Sequence, residues 1–507
     1  MCRAPNNNTP EVRRVVISGA GPAGLLLQAL LHHRNKSSSN GSVIYETILI
    51  ESRADLGALN KEELQTNHRS WMIGLANHGL EAIRTVPDLF ENYVSGIGVP
   101  VEHFQIFIGS KGFGGSAPQT GDTKPENYIV DRNFVTAALS RYANETLKSS
   151  EYYTAMYETE MLYVDHENHR VLVRNKRTRE EEYISYDLLV GADGIRSTVR
   201  EALVKKHYDF ELSVGDIFNS FKAVHIARPD ALSHESMSLL PNCFPCCNGI
   251  VLPETGDLVN ISIGANHNDF DTNVPNELKS DDPAVVCAYL KKNLKAFKLT
   301  DEGYMDFATQ WVNQRWNRTG MVHCNRYSSA ECKIVLMGDA AHATSPSIGM
   351  GMNTALRDAQ KLYELLEKHN DDWDKVIPEY SKIRVPEGNA LTDLALHLYC
   401  FDTKLGARTM IKSLIRSGLN KFFPWLVDPD CQAYIGQSGY NLADVYQKAM
   451  DQGILSTHRA TNDRLRQEFF ERQTGMIKEK PRSSMFKYSL LFAAVAAVGG
   501  RIAIERM

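Results

Sequence analysis

Three apolar runs in this chain end at small or acidic residues and lead into helical patterns. The first, RRVVISGAGPAGLLLQALL (Arg13 to Leu31), predicts a buried strand, a glycine turn and an apolar helix. The second, YDLLVGADGIRSTVR (Tyr186 to Arg200), repeats that order. The third run, KIVLMG, leads into the stretch Gly338 to Gln360. A helix is predicted to begin within this stretch and to run through Ala355 to Leu366.

The remaining patterns fill the space between these three segments. A second strand, Thr47 to Ser52, ends on an acid, and Leu56 to Arg69 is helical in pattern. Tyr128 to Ala143 predicts a strand end and an amphipathic helix. Residues 206–325 are rich in short strands separated by turn residues, and residues 360–480 are mostly helical.

This order predicts an α/β fold with α+β insertions: a Rossmann-like, discontinuous nucleotide-binding domain, an inserted β-sheet substrate domain and C-terminal helices. The predicted boundaries are 12–84, 128–205 and 326–366 for the nucleotide-binding parts, 85–127 for a substrate-side segment, 206–325 for the mainly β substrate domain, 367–485 for the helical region and 486–507 for a hydrophobic tail.

Composition and charge narrow the class of partner. The net charge of −5, from 56 basic and 61 acidic residues, makes nucleic acid an unexpected partner. The nine cysteines are scattered and odd in number, which suits a reducing compartment. The cluster CFPCC (Cys243 to Cys247) lacks further ligands to complete a zinc site, so we expect no metal.

The two termini differ in character. The N-terminal MCRAPNNNTPEVRR lacks the apolar core of a secretory signal, so we expect an intracellular protein. Near the C-terminus, the uncharged run from Tyr488 to Gly500 is shorter than the roughly 20 residues of a membrane span. It predicts either a last packed helix or membrane association through residues 486–507, at the mitochondrial outer membrane or the endoplasmic reticulum; otherwise the location is cytoplasmic.

The motif GAGPAG (Gly19 to Gly24) matches GxGxxG between a strand and a helix. Gly19 permits a tight turn, Gly21 lets the backbone approach a pyrophosphate, and Gly24 lets the helix pack on the strand, with Ala23 in the helix start. Glu51 ends the next strand, where an acid accepts hydrogen bonds from an adenosine ribose.

Two further strand ends carry carboxylates. Asp193 and Gly194 follow the second apolar run, at the crevice where open α/β sheets bind ligands. Asp339 follows the third and is placed to accept hydrogen bonds from a ribityl chain. The glycines Gly349 and Gly351, with Pro346, Met352 and Asn353, bring backbone and a helix N-terminus to a flat, anionic ring such as reduced flavin.

GxGxxG, DG and GD motifs in this order resemble the single-component (p-hydroxybenzoate hydroxylase-like) FAD-dependent monooxygenases, over residues 15–366. The resemblance implies that Arg132 contacts the pyrophosphate side of FAD and that Arg69 lies near the flavin ring. RSWMIGLANHGLEAI, YSSAECKIVLMGDAAH, GMGMN and RVPEGNALTDLALHLY are similar to the kynurenine 3-monooxygenases of this family.

The chain also departs from that pattern. An arginine that pairs with the kynurenine carboxylate in those enzymes would fall between Gly98 and Phe107, and none is there. Their glutamate after the GMGMN asparagine is replaced at Leu356-Arg357. These differences leave the flavin chemistry intact and leave the substrate open.

The resemblance implies an enzyme in which NADPH or NADH, as a transient donor, reduces FAD, and O2 forms a flavin C4a-hydroperoxide that hydroxylates a small aromatic substrate. We predict Asn353, Pro346 and Tyr399 as catalytic residues and Phe244, His397 and Tyr399 as substrate contacts. Two alternatives stay open: an isoprenoid epoxidase or reductase on the same fold, and a flavin-binding protein that acts by interaction. The sequence sets no oligomeric state.

Overall fold

The computed structural model of the chain describes residues 10–37, 43–67, 71–116, 126–267, 273–437 and 439–475. These fall into two compact units, each built from three separate segments. The first comprises Met1–Gly98, Val130–Gly215 and Gly320–Thr392; the second comprises Val99–Ile129, Asp216–Thr319 and Asp393–Met507.

The strands, in chain order, are β1 (Glu11–Ser18), β2 (Val43–Ile50), β3 (Met72–Ala76), β4 (Gly98–Pro100), β5 (His103–Ile108), β6 (Lys111–Ser116), β7 (Asn127–Asp131), β8 (Tyr153–Met156), β9 (Thr159–Asp165), β10 (Arg170–Asn175), β11 (Glu181–Ser185), β12 (Leu188–Gly191), β13 (Leu212–Ala227), β14 (Ser236–Phe244), β15 (Cys247–Glu254), β16 (Leu258–Asn266), β17 (Asn317–Cys324), β18 (Ser328–Ser329) and β19 (Ile334–Leu336).

The α-helices are α1 (Pro22–Ser37), α2 (Lys61–Asn67), α3 (Asn77–Arg84), α4 (Arg132–Tyr142), α5 (Thr198–Lys206), α6 (Pro283–Asn293), α7 (Asp301–Asn313), α8 (Asp339–His342), α9 (Gly351–Lys368), α10 (Trp373–His397), α11 (Thr403–Phe422), α12 (Leu442–Asp451) and α13 (Ile454–Gln473). Short 3-10 turns, among them Pro346–Ile348, and two π-turns connect them.

The first unit is built on a six-stranded sheet in the order β18-β19-β12-β1-β2-β8. All neighbouring pairs are parallel except β18 with β19. The central strands read as unbroken apolar runs because both faces are covered: Val15, Val16 and Ile17 of β1 have no exposed surface. Helix α1 packs on β2 and on α9, and α9 packs on α3.

The second unit contains a seven-stranded sheet in the order β17-β13-β16-β15-β14-β5-β6. Helices α6 and α7 share one hydrophobic core with it, in which Phe307 and Trp311 are fully buried. The range 206–325 was predicted from its strands alone, so these two helices are an addition to the sequence interpretation.

The predicted fold class is confirmed: an α/β fold with a parallel Rossmann-like sheet, a second β-sheet and C-terminal helices. Among the residues described, no helix combines the length and apolar character needed to traverse a bilayer. The predicted membrane-associated tail, residues 486–507, lies outside the described residues.

Candidate functional site

The carboxyl ends of four neighbouring strands meet at one level of the six-stranded sheet. Ser18 of β1 is in register with Ile50 of β2 and with Gly191 of β12, which in turn pairs with Leu336 of β19. The segments that follow these strands therefore emerge side by side, about 5 Å apart from strand to strand. They carry the predicted residues Gly19, Glu51, Asp193 and Asp339.

The glycine turn after β1 has no space for a side chain at two of its three glycines. Gly19 has a φ of +104°, and a Cβ there would lie 2.3 Å from the carbonyl oxygen of Ala192. A Cβ on Gly24 would lie 2.1 Å from the carbonyl oxygen of Gly19. A Cβ on Gly21 would meet that same Ala192 oxygen only at 4.0 Å, so packing within the chain does not demand glycine there. Open space beside a bare backbone is what a closely approaching pyrophosphate needs.

The start of α1 offers unpaired donors to such an anion. Pro22 is its first residue, and the N–H of Leu25 donates to the Gly21 carbonyl at 3.0 Å. The N–H groups of Ala23 and Gly24 therefore lie in the first turn, where a helix supplies no acceptor of its own. That end of the helix also carries partial positive charge.

Glu51 is buried at the end of β2 and is held by backbone donors. Its carboxylate accepts from the N–H of Ala20 at 2.9 Å and from the N–H and Nε of Arg53 at 2.9 and 3.0 Å. Burial alone would raise the pKa of Glu51, but these donors and the Arg53 charge outweigh it and hold the pKa below its ordinary value. Glu51 is thus an ionised acceptor.

A narrow cleft opens beside Glu51. It is lined by Ala20, Arg53, Thr136 and Ser140, among other residues of the first unit. Hydroxyl and guanidinium groups next to an ionised carboxylate are suited to the ribose and base of an adenosine. The cleft thus adjoins the predicted ribose acceptor.

Asp193 follows β12 and has one carboxylate oxygen engaged. Oδ2 accepts from the backbone N–H groups of Thr198 and Val199 at 2.9 and 3.3 Å, at the start of α5. Oδ1 is buried and has no partner among the described residues. Burial raises the pKa of the Asp193 carboxyl. Gly194, next to it, has open space where a side chain would stand.

Asp339 is exposed at the start of α8, three residues after the end of β19. Arg132 begins α4, and its guanidinium lies over the Trp71 ring, 4.3 Å from the ring centroid. Burial lowers the pKa of Arg132, and the negative charge of Asp339 opposes that shift. The structure thus brings Arg132 and Asp339 within electrostatic range of each other, whereas Arg69 lies outside the described residues.

The segment after α8 presents backbone to one side. Pro346 begins a 3-10 turn that ends at Gly349. Gly349 has a φ of +68°, and a Cβ added there would meet nothing within 4 Å. Helix α9 then starts at Gly351, and no side chain caps its N-terminus at Met350. The first-turn N–H groups, including that of the half-buried Met352, are therefore available to a ligand.

Asn353 ties this helix start to β3. Its Oδ1 accepts from the N–H of Ala76 at 2.8 Å, and its Nδ2 donates to the carbonyl oxygens of Gly74 and Gly349 at 2.8 and 3.0 Å. The side chain is fully buried. Its amide therefore acts on the backbone around the site, and its predicted catalytic role remains a prediction.

Sequence reasoning missed a buried ionic cluster behind Asp339. Asp358 of α9 accepts from Arg384 Nε at 2.6 Å and from the backbone N–H of Gly338 at 2.8 Å, and it pairs with His342 Nε2 at 2.6 Å. All three side chains are almost fully buried. Burial would raise the pKa of Asp358, but the charges of His342 and Arg384 keep it below the ordinary value.

A sequence signal for this cluster existed. Asp358 stands at helical spacing from Ala355 and Leu362, on the apolar stripe of α9. A carboxylate on such a stripe requires a buried partner, because an isolated buried charge is costly. His342, three residues after Asp339, pairs with the Asp358 carboxylate within the cluster.

The predicted substrate residues belong to the second unit. Phe244 is 2% exposed and packs in the core, its ring 5.5 Å from that of Tyr289. His397 is buried, with Nδ1 unpartnered among the described residues. Tyr399 is half exposed. Their contact with substrate remains a prediction, and Phe244 has little surface to offer one.

These features were compared with known proteins. The family described as "FAD binding domain" matches residues 276–395. Violacein synthase of Chromobacterium violaceum is 25% identical over 430 residues, covering 83% of this chain and 92% of that protein. Kynurenine 3-monooxygenase of Neurospora crassa is 25% identical over 431 residues, covering 76% and 78%. A crystal structure of 2-methyl-3-hydroxypyridine-5-carboxylic acid oxygenase superposes with a TM-score of 0.57 at 17% identity, covering 79% and 93%.

Fold, strand-end geometry and these similarities define a flavin-dependent oxidoreductase. The predicted resemblance to the single-component FAD-dependent monooxygenases, which use NAD(P)H and O2, is confirmed. The predicted class and cofactors are confirmed, whereas the substrate is not settled at about 25% identity.

Proposed function

We propose that this monooxygenase hydroxylates a small, electron-rich aromatic metabolite, with FAD held along the strand ends of β2, β1, β12 and β19. The observation that carries the proposal is the common register of these four ends, which places Glu51, Gly21, Asp193 and Asp339 along one edge of the sheet. An extended dinucleotide fits such a row better than a compact ligand does.

The residues at these strand ends fit successive parts of FAD, from the adenosine toward the flavin. Glu51 would hold the adenosine ribose, and the bare backbone at Gly21 with the first turn of α1 would hold the diphosphate. Asp193, with its unpartnered buried oxygen, and Asp339 would accept hydrogen bonds from ligand hydroxyls. Arg132 would balance negative charge on the diphosphate side.

The ring end is assigned to the segment from Pro346 to α9. When bound, FAD supplies a ring that accepts two electrons from NAD(P)H and that, once reduced, activates O2. The uncapped N-terminus of α9 would stabilise negative charge on the ring, because its N–H groups and dipole point outward from the helix. Asn353 would keep that helix start in position through its bonds to Gly74, Ala76 and Gly349.

The substrate is the finer part of the proposal. Kynurenine is one candidate, because kynurenine 3-monooxygenases are among the relatives. The segment from Gly98 to Phe107, which contains β4 and most of β5, holds no arginine to pair with a substrate carboxylate. We therefore place the substrate among aromatic amines and phenols, with kynurenine as the reference compound rather than the assigned one.

The test is a substrate screen on the purified FAD-loaded enzyme. Aromatic amines, phenols, indoles, kynurenine and anthranilate-like acids are each added while NAD(P)H and O2 consumption are recorded. We expect at least one compound to accelerate both and to gain one oxygen atom from isotopically labelled O2. If no compound accelerates NAD(P)H oxidation, or if the product carries oxygen from water, the proposal is wrong.

A further inference from the structure

The end of α11, in the second unit, carries an exposed apolar surface. We name as the α11 tip the residues Ile415, Leu419, Phe422, Phe423, Trp425 and Leu426. Trp425 is 79% exposed and Leu426 is 76% exposed, and the other four are between 44% and 57% exposed. Single exposed apolar side chains are ordinary, but a contiguous group with three aromatic rings marks an interaction surface.

The α11 tip is an ordered structure with a defined shape. Ile415, Leu419 and Phe422 follow the i, i+4, i+7 spacing of one helix face. The rings of Phe423 and Trp425 meet edge to face at 5.8 Å, and the N–H of Leu426 donates to the Phe423 carbonyl at 3.0 Å.

Two side-chain bonds hold the chain that follows against the helix. Asn420 Nδ2 donates to the Val427 carbonyl at 2.6 Å, and Arg416 Nε donates to the Asp428 carbonyl at 2.9 Å. The aromatic residues are therefore presented by a closed turn.

The charge on this element has one sign. Between Thr403 and Val427 the sequence holds no aspartate or glutamate, although the whole chain has a net charge of −5. The basic residues there are Lys404, Arg408, Lys412, Arg416 and Lys421. Arg408 and Lys412 are exposed and continue the face of Ile415 toward the helix start. One stripe of α11 is thus basic in its first half and apolar in its second.

We propose that α11 docks on an anionic phospholipid bilayer, with its tip in the interfacial region and its cations against the lipid headgroups. Tryptophan and phenylalanine are suited to the interface because an apolar ring body there meets both acyl chains and headgroups. Lysine and arginine near an anionic leaflet are attracted to it, so each one strengthens the binding. Such a helix lies on the membrane rather than crossing it.

Other occupants fit this surface less well. A symmetric dimer through the α11 tip would bring the same cations of two copies together with no carboxylate between Thr403 and Val427 to pair them. The apolar run from Tyr488 to Gly500 is itself flanked by Lys487 and Arg501, so it offers no opposite charge either. An anionic bilayer supplies both the charge and the apolar depth.

The test uses the full chain with FAD bound and sedimentation with two kinds of vesicle, phosphatidylcholine alone and phosphatidylcholine with phosphatidylserine. We expect the wild type to bind the phosphatidylserine vesicles at least about tenfold more strongly, and we expect added salt to weaken that binding. Equal binding to both vesicles would refute the electrostatic part of the proposal.

Variants locate the contact. Trp425→Ser with Leu426→Ser should lower binding about tenfold or more, and Arg408→Glu with Lys412→Glu should abolish the preference for phosphatidylserine. Tyr208→Ser is the matched control, because Tyr208 is a fully exposed aromatic residue of the first unit. Unchanged flavin content shows that each variant is folded.

Two outcomes would overturn the proposal. If the Trp425→Ser/Leu426→Ser variant binds vesicles as the wild type does, the α11 tip is not the membrane contact and another segment holds the lipid. If instead that variant changes the sedimentation coefficient from dimer to monomer without changing vesicle binding, the surface belongs to a second copy of the chain. Because the variants leave the FAD site untouched, neither outcome bears on the proposed hydroxylation.

Discussion

At the scale of single residues, two acids of the site, Glu51 and Asp193, are held by backbone donors before any ligand arrives. Glu51 accepts from Ala20 and Arg53, and Asp193 accepts from the start of α5. Carboxylates held in this way do not have to be reoriented when a ligand binds, so less entropy is lost on binding.

The residues that sequence reasoning found were those with a local signature. Gly19, Gly24, Glu51 and Asp339 stand at the ends of apolar runs, so their positions are visible without the fold. Arg384 has no such signature, because arginine is ordinarily exposed and its partner Asp358 lies on another helix. Phe244 was predicted at the substrate, yet the structure places it in a core formed with α6, which the strand pattern did not reveal.

His397 makes stability depend on pH. Burial, aided by the nearby charge of Arg459, lowers its pKa from 6.5 to about 4. Below pH 6.5 the unfolded chain therefore binds a proton at His397, whereas the folded protein binds it only near pH 4. The contribution of neutral His397 to the free energy of unfolding is fully present above pH 6.5 and is lost as the pH falls toward 4. At pH 5 this loss amounts to about 2 kcal/mol.

Urea unfolding at pH 7.5 and pH 5 measures that loss. We expect the wild type to lose more unfolding free energy between the two values than His397→Gln does, by about 2 kcal/mol. The comparison at pH 7.5 controls for the cost of the substitution itself. Identical pH dependence in both proteins would show that His397 is not held in its neutral form.

At the scale of elements, α9 contributes to the site in two ways. Its start presents backbone N–H groups, and its buried face carries Asp358 against α8 and α10. The buried cluster fixes the position of Gly338, whose N–H donates to Asp358, and so fixes the turn that carries Asp339.

Replacing Arg384 tests this cluster. Arg384→Met leaves the buried Asp358 with one fewer cation, so we expect the free energy of unfolding to fall by about 3 to 5 kcal/mol in urea titration. A double variant, Arg384→Met with Asp358→Leu, removes the orphaned charge and should recover part of the loss. A loss below about 1 kcal/mol in the single variant would mean that the ion pair does not hold the helices together.

Asn353→Ala tests the link between α9 and β3. The change leaves the partly buried N–H of Ala76 without its acceptor, which costs up to about 1 to 3 kcal/mol. We expect lower thermal stability of the FAD-free protein and lower FAD affinity, because the start of α9 loses its hydrogen bonds to β3. Thr85→Ala is the control: it removes the bond that Gln360 of the same helix donates to Thr85, and the bond from Thr85 to the Glu81 carbonyl, and it should change FAD binding little. Equal effects of the two variants would contradict a special role for Asn353.

The elements themselves were largely predictable where a period was strong. The strand, turn and helix around Gly19 appear where the pattern placed them, as does the helix after Asp131, which the Asp131 side chain caps. Helices α6 and α7 were not predicted, because they follow a long run of strands and their apolar faces mix with the sheet core. The bonds from Asn353 to Gly74 and Ala76 cross more than 270 residues, which no local pattern shows.

At the scale of the whole molecule, both compact units are discontinuous in sequence. The order of glycine turns predicted such an interrupted nucleotide-binding domain, because strand ends with acids occur both early and late in the chain. What sequence order does not contain is register: only the structure shows that Ile50, Ser18, Gly191 and Leu336 lie at one level.

The hydrophobic tail is a separate prediction at this scale. Deleting residues 486–507 should move the protein from the membrane fraction to the soluble fraction if the tail is an anchor, as judged by fractionation and immunoblotting. Flavin content of the shortened protein is the control for folding. A full-length protein that is already soluble without detergent would contradict the anchor.

If the strand ends of the first unit hold FAD, a side chain at Gly21 will interfere with FAD binding. Titration of the FAD-free protein with FAD compares the wild type with Gly21→Ala, and with Gly96→Ala as a control. A Cβ at Gly96 would meet nothing within 4 Å, and one at Gly21 would meet only the Ala192 carbonyl oxygen, at 4.0 Å. A Cβ at Gly21 has room within the chain but would intrude on the pyrophosphate. We expect unchanged thermal stability of the FAD-free Gly21→Ala protein and an FAD affinity lowered by about tenfold or more, whereas Gly96→Ala should bind FAD as the wild type does. Wild-type FAD affinity in Gly21→Ala would show that the diphosphate of FAD does not lie against this turn.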